Sequence, residues 1–217
     1  MLSYYLFSLS FLVYLHQYVY VLGESLLFKY YITDSAIADK FNFYKRRYII
    51  KNLWKSGILA LLILTTSLSF IDGFFNDLWS NLTFNIWGTV YVALDLSGLV
   101  YVRGLPTATK VHHLVVCVLG TLNSLADYNI PGYYRSILIY TYFSMVPFIV
   151  NFYLGYRYLE TDQTRRKVVA RMSNIVYTLS LGTNIACQLL FFWFEPFHWS
   201  IIAYFAMYCM IMNDDIK

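Results

Sequence analysis

Seven apolar stretches, each near the length that crosses a bilayer, follow one another with little between them, and this constrains the chain more than any other feature. A hydrocarbon core of about 30 Å takes about 20 helical residues at about 1.5 Å each. The stretches fall at about 2–22, 54–72, 84–102, 107–126, 133–155, 172–194 and 197–213. In lipid every backbone polar group must be satisfied internally, so consecutive runs of this kind dictate helices. Composition agrees. Of 217 residues, 59% are hydrophobic and 13% charged, against about 25% charged in a soluble domain. The reading is an all-α membrane protein, one domain over 1–217, built as a polytopic bundle of about seven transmembrane helices. The one long link is 23–53, and no internal repeat or low-complexity tract divides the chain.

Orientation follows from the basic residues, because Lys and Arg near span ends are retained on the cytosolic side. Of 16 lysines and arginines, all but Arg135 fall on links or tails of one side, including Lys45, Arg46, Arg47, Lys51, Lys55, Arg165, Arg166 and Lys167. The N terminus is therefore expected in the lumen and the C terminus in the cytosol. The same asymmetry explains the net charge of +4 without nucleic acid, with some attraction to anionic headgroups. Residues 2–22 lack a basic leader and a small-residue cleavage site, so they read as an uncleaved first span. Cys117, Cys187 and Cys209 fall inside spans and read as small core residues. Asn81-Leu82-Thr83 is a glycosylation sequon on the expected lumenal side. No cofactor or metal is expected.

Ionisable residues inside the spans are the candidate site. Asp95 lies nine residues before Gly104 and His113 nine after it. With Arg103 to Thr107 as a short turn, the two come level on facing helices, on the order of 10 Å from the membrane surface. A carboxylate this deep is costly unless paired or used. His112 and His113 point about 100° apart on a helix, so one of them is placed to meet Asp95. A carboxylate bonded to one imidazole nitrogen fixes the tautomer and supports the ring as a general base. His16, Asn151, Asn174 and Tyr177 project into the same half of the bilayer and suggest a polar, lipid-binding pocket open toward the cytosol. Taken singly, His16 reads as interhelical glue; Asp95 with His113 reads as a site.

These residues carry a resemblance. Tyr91-Val-Ala-Leu-Asp95, followed by a basic turn and Lys110-Val-His112-His113-Leu114, is similar to the centre of the TLC domain of ceramide synthases, translocon-associated membrane proteins and TLC-domain-containing proteins. Ser144-Met-Val-Pro147-Phe148-Ile-Val-Asn151 through Arg157, and upstream Trp54-Lys55-Ser56, resemble further segments of it, over about 40–210. The resemblance implies a helical bundle of the endoplasmic reticulum or plasma membrane enclosing a lipid-binding cavity to which Ser144 contributes. Ceramide synthases have an acidic cluster after the histidine pair and an acidic residue where this chain has Phe143, so the non-synthase branch is nearer.

Two functions follow. In the first, the chain binds membrane lipids or acyl chains and influences lipid composition. In the second, it is an acyltransferase using acyl-CoA, with His113 as general base or acyl carrier, His112 as its partner and Asp95 orienting the ring. A retinal-type photoreceptor is excluded because the last span holds no lysine.

Overall fold

Where they are described, the apolar stretches fold as helices, and the described residues contain no strand. In this computed structural model, residues 2–27, 29, 43–102, 104–194, 202, 204–206, 208 and 209 are described. Among them are α1 (Leu2–Leu26), α2 (Phe43–Asn76), α3 (Asn81–Tyr101), α4 (Thr107–Asn123), α5 (Tyr133–Met145), α6 (Phe148–Leu159) and α7 (Gln163–Phe194). The boundaries have local causes. Ser80 caps α3, its Oγ accepting from the Thr83 amide. Pro106 precedes α4 and Pro147 separates α5 from α6, since proline has no N–H to give to the turn before it. Gly104 turns the α3–α4 link at φ +77°, a conformation that favours glycine.

Among the described residues, four helical segments have the length and apolarity to cross a membrane: Leu2–Leu26, Lys45–Asn76, Tyr133–Leu159 running through α5 and α6, and Gln163–Trp193. This is fewer than the expected seven. α4 has 17 residues, and the apolar run of α3, itself a continuous helix, is broken by Asn85, Thr89, Asp95 and Ser97. The expected last span, 197–213, lies largely outside the described residues. Other boundaries also shift. α2 begins well before residue 54, carrying Lys51 and Lys55 into the helix, and α7 begins at Gln163 rather than 172.

Successive segments alternate in direction, with α5 and α6 running the same way as one segment. Along α7, the Gln188 amide donates to Ser136 O, the Ser180 hydroxyl to Phe143 O and the Ser173 hydroxyl to Ile149 O. Rising numbers on one helix meet falling numbers on the other, so α7 is antiparallel to α5 and α6. α3 and α4 form a tight hairpin, in which a Cβ on Gly120 would stand 2.1 Å from Val92 Cγ2. α1 lies alongside, with Tyr20 bonded to Ser97 of α3 at 2.9 Å and Tyr5 to Thr121 of α4 at 3.2 Å. We call the end with the 102–106 link the turn end, and the other the far end.

Leu59, Leu62, Tyr91, Leu94, Val116 and Met145 bring α2, α3, α4 and α5 together in the central core. Outside it, Leu64, Leu68 and Phe75 of α2 are each at least three-quarters exposed. They lie on one face at helical spacing, an apolar stripe of the kind that lipid covers.

Candidate functional site

Asp95, on α3, is completely buried. Burial of a carboxylate requires a countercharge and hydrogen bonds, and α2 supplies the charge. The Lys55 ammonium pairs with Asp95 Oδ1. From α4, His113 brings Nδ1 to 3.2 Å from the same oxygen. The second carboxylate oxygen, Oδ2, is buried and has no hydrogen-bond partner among the described residues. One turn before Lys55, Lys51 reaches across so that its Nζ lies 3.3 Å from His113 Nε2. Gly98 of α3 makes room for it, since a Cβ there would stand 2.8 Å from that Nζ.

The network orients the imidazole. An ammonium can only donate, so Nε2 of His113 accepts from Lys51 and the ring proton sits on Nδ1. Nδ1 stands 3.2 Å from the carboxylate, outside good hydrogen-bond geometry to it. The Nε2 lone pair, which a general base would need, is held by Lys51. His112, His113 and Asp95 offer ligand atoms within 4.8 Å of one another and could hold a metal ion. Lys55 already gives Asp95 a positive partner, however, and two ammonium groups would repel a divalent cation at this spot.

A cavity of about 320 Å³ opens beside the cluster, at the lower end of the range for small-molecule sites, about 300–1,000 Å³. Lys55, His112 and His113 contribute to its wall, and Ser144, Asn151 and Tyr177 come from α5, α6 and α7. Tyr91, Phe143, Val150, Leu154 and Leu181 make much of the remainder apolar. The Asn151 carboxamide has no hydrogen bond to the described residues and borders the open space.

Five of the residues singled out from sequence, His112, His113, Ser144, Asn151 and Tyr177, thus share one cavity. Asp95 stands behind the wall. His16 and Asn174 do not line it. His16 is buried against α2, its Nδ1 accepting from Trp54 Nε1 at 2.9 Å, and its ring stacks on Tyr20. Asn174 is exposed on α7, one position past the inward-facing Ser173. The sequence places Lys51 and Lys55 among the orientation charges on a link, whereas the structure turns both inward. The signal was present: an i, i+4 lysine pair entering an apolar run is placed on one helix face, and Asp95 needed a cation.

At the far end stands Arg135, the basic residue that the charge asymmetry sets apart from the others. It is buried, donates from Nε to Tyr128 O at 2.8 Å, pairs with Asp77 at 2.8 Å and lies over the Trp79 ring. The sequon residue Asn81 is also engaged. Its amide donates to Asp127 Oδ1 and its carbonyl oxygen accepts from the Tyr128 amide, at 2.7 and 2.8 Å. Trp79 is buried in the same cluster.

No family model, curated protein or solved structure matches the chain.

Proposed function

We propose that the chain is a multi-pass membrane protein of the TLC-domain kind, nearest the non-synthase branch, that holds a lipid or acyl chain in the 320 Å³ cavity and influences membrane lipid composition. The cavity carries this reading. It is bounded by polar groups from several helices and by an apolar wall, and it lies within a bundle whose outer surface is apolar. Acyl transfer by His113 is the weaker reading, because Lys51 occupies the nitrogen that would take the proton.

The reading includes seven spans in the membrane of the endoplasmic reticulum, with the N terminus lumenal. Its support is the side occupied by the basic residues. Lys45, at the start of α2, lies 4.8 Å from the Tyr158 ring at the close of α6, so the basic segments around 45–47 and 157–171 share the turn end. An N-terminal tag accessible to protease on intact microsomes would overturn this orientation.

Photo-crosslinking with a diazirine-bearing fatty acid tests the pocket. Labelling should map to peptides around 109–113 and 144–151, and Asn151→Trp, which fills the space, should reduce it at least fivefold. Equal labelling of the filled variant would refute the reading. Acyl-CoA-dependent product formation by the purified chain, lost in His113→Ala, would replace it with the acyltransferase.

A further inference from the structure

The buried cluster carries more positive than negative charge. Lys51 and Lys55 are both more than nine-tenths buried, and Asp95 is the one carboxylate paired with either among the described residues. The pairs Arg47 with Glu24, Arg135 with Asp77 and Arg165 with Asp162 lie elsewhere. His113 carries no negative charge in either protonation state. In a low-dielectric interior an uncompensated ammonium is costly, and its field reaches several ångströms because little screens it. The cavity opens on this cluster at Lys55 itself.

The surrounding donors point the same way. Beyond Lys55, the Asn151 carboxamide has no partner among the described residues, and Thr109 adds a hydroxyl to the lining. Among the described residues no carboxylate lines the cavity. A site with one ammonium at its wall, free amide and hydroxyl donors and no acidic group is complementary to an oxyanion, and its apolar side suits the first carbons of a chain.

We infer that the cavity takes its ligand by an anionic head, a carboxylate or phosphate, set against Lys55 with Asn151 as a second donor. This rests on the lipid-binding reading and specifies the ligand class. The anion brings the cluster to electrical balance and leaves Asp95 in its pair with Lys55.

The test compares charged and neutral ligands of equal chain on the full-length protein purified in detergent. Oleic acid is paired with oleyl alcohol, and dioleoyl phosphatidic acid with dioleoylglycerol. At least one anionic member should bind tenfold or more tightly than its neutral partner, and the pair that shows the difference identifies carboxylate or phosphate. The double variant Lys55→Met/Asp95→Asn, which removes both charges together, should reduce the preference below twofold; Asn151→Leu, which leaves the buried ion pair intact, should reduce it at least threefold. Equal binding within both pairs would overturn the inference while leaving the lipid reading intact. Absence of binding by all four probes would overturn both.

Discussion

Two aspartates at opposite ends of this bundle each meet a basic residue, yet they are held differently. Asp95 is sealed, with Lys55 and His113 around it and no side-chain exposure. Asp77 is 71% exposed, while its partner Arg135 is buried. At the turn end both charges have left water and depend on each other; at the far end the carboxylate is solvated and the guanidinium depends mostly on the Tyr128 carbonyl and the Trp79 ring. An ion pair's importance therefore depends on which partner would be stranded by losing the other. It also marks the cavity-side cluster as costly to keep, which is what a functional role would require, and the far-end cluster as a clamp.

Removing one partner of each pair sharpens this contrast. Asp95→Ala leaves two lysines buried without their carboxylate, and should cost about 3–5 kcal/mol, read as the largest fall in melting temperature in detergent. Removing both charges in Lys55→Met/Asp95→Asn should restore most of that loss. A single Asp95→Ala variant as stable as the wild type would break the comparison. At the far end, Arg135→Met strands the Tyr128 carbonyl and should cost about 1–3 kcal/mol. By contrast, Asp77→Asn should cost less than about 1 kcal/mol, as exposed ion pairs do. Equal effects of these two substitutions would show that the far-end pair is as closed as the other.

The far end also makes a prediction about modification. Asn81 uses its amide and its carbonyl oxygen to hold the link before α5, so the sequon should remain unglycosylated, with no change in gel mobility on endoglycosidase treatment. A mobility shift abolished by Asn81→Gln would disprove this. The smallest effect concerns pH. Asp127, in that link, is held below the ordinary carboxylate range by the Asn81 amide, then by the Asn129 backbone and side-chain N–H groups. Its contribution is present above the unfolded value of about 3.9 and is lost as pH falls through the lower folded value. Between pH 5 and pH 3, wild type should therefore lose slightly more melting temperature than Asp127→Asn, since Asp127 is fully exposed. Identical acid slopes would remove Asp127 from the clamp.

Much of the pairing was legible because it is local. Asp95 and His113 flank one short turn, so helix rise alone brings them level. Asn151 and Tyr177 were visible as polar interruptions of apolar runs and Ser144 only through a resemblance of its segment, and all three border the cavity. His16 and Asn174 belonged to the same pattern but not to the same space. For His16, a neighbouring α2 tryptophan competed for the imidazole; for Asn174, Ser173 took the inward position one residue earlier. Lys51 and Lys55 were hidden by a rule that holds for loops. A lysine beside an apolar run is ordinarily a surface charge, and here α2 starts early enough to carry both inside.

The sequence by itself determined that this chain is helical and apolar on its outside, and that a carboxylate and an imidazole face each other near one link. Those properties depend on periodicity, span length and nearby chain, which are one-dimensional. Only the tertiary structure decided which cations answer Asp95, which nitrogen of His113 is engaged and which polar residues share a cavity. Those outcomes depend on the rotation of each helix about its axis. That rotation is set by contacts between distant segments, such as Val92 against Gly120 and Gly98 against Lys51, for which no local pattern carries a signal.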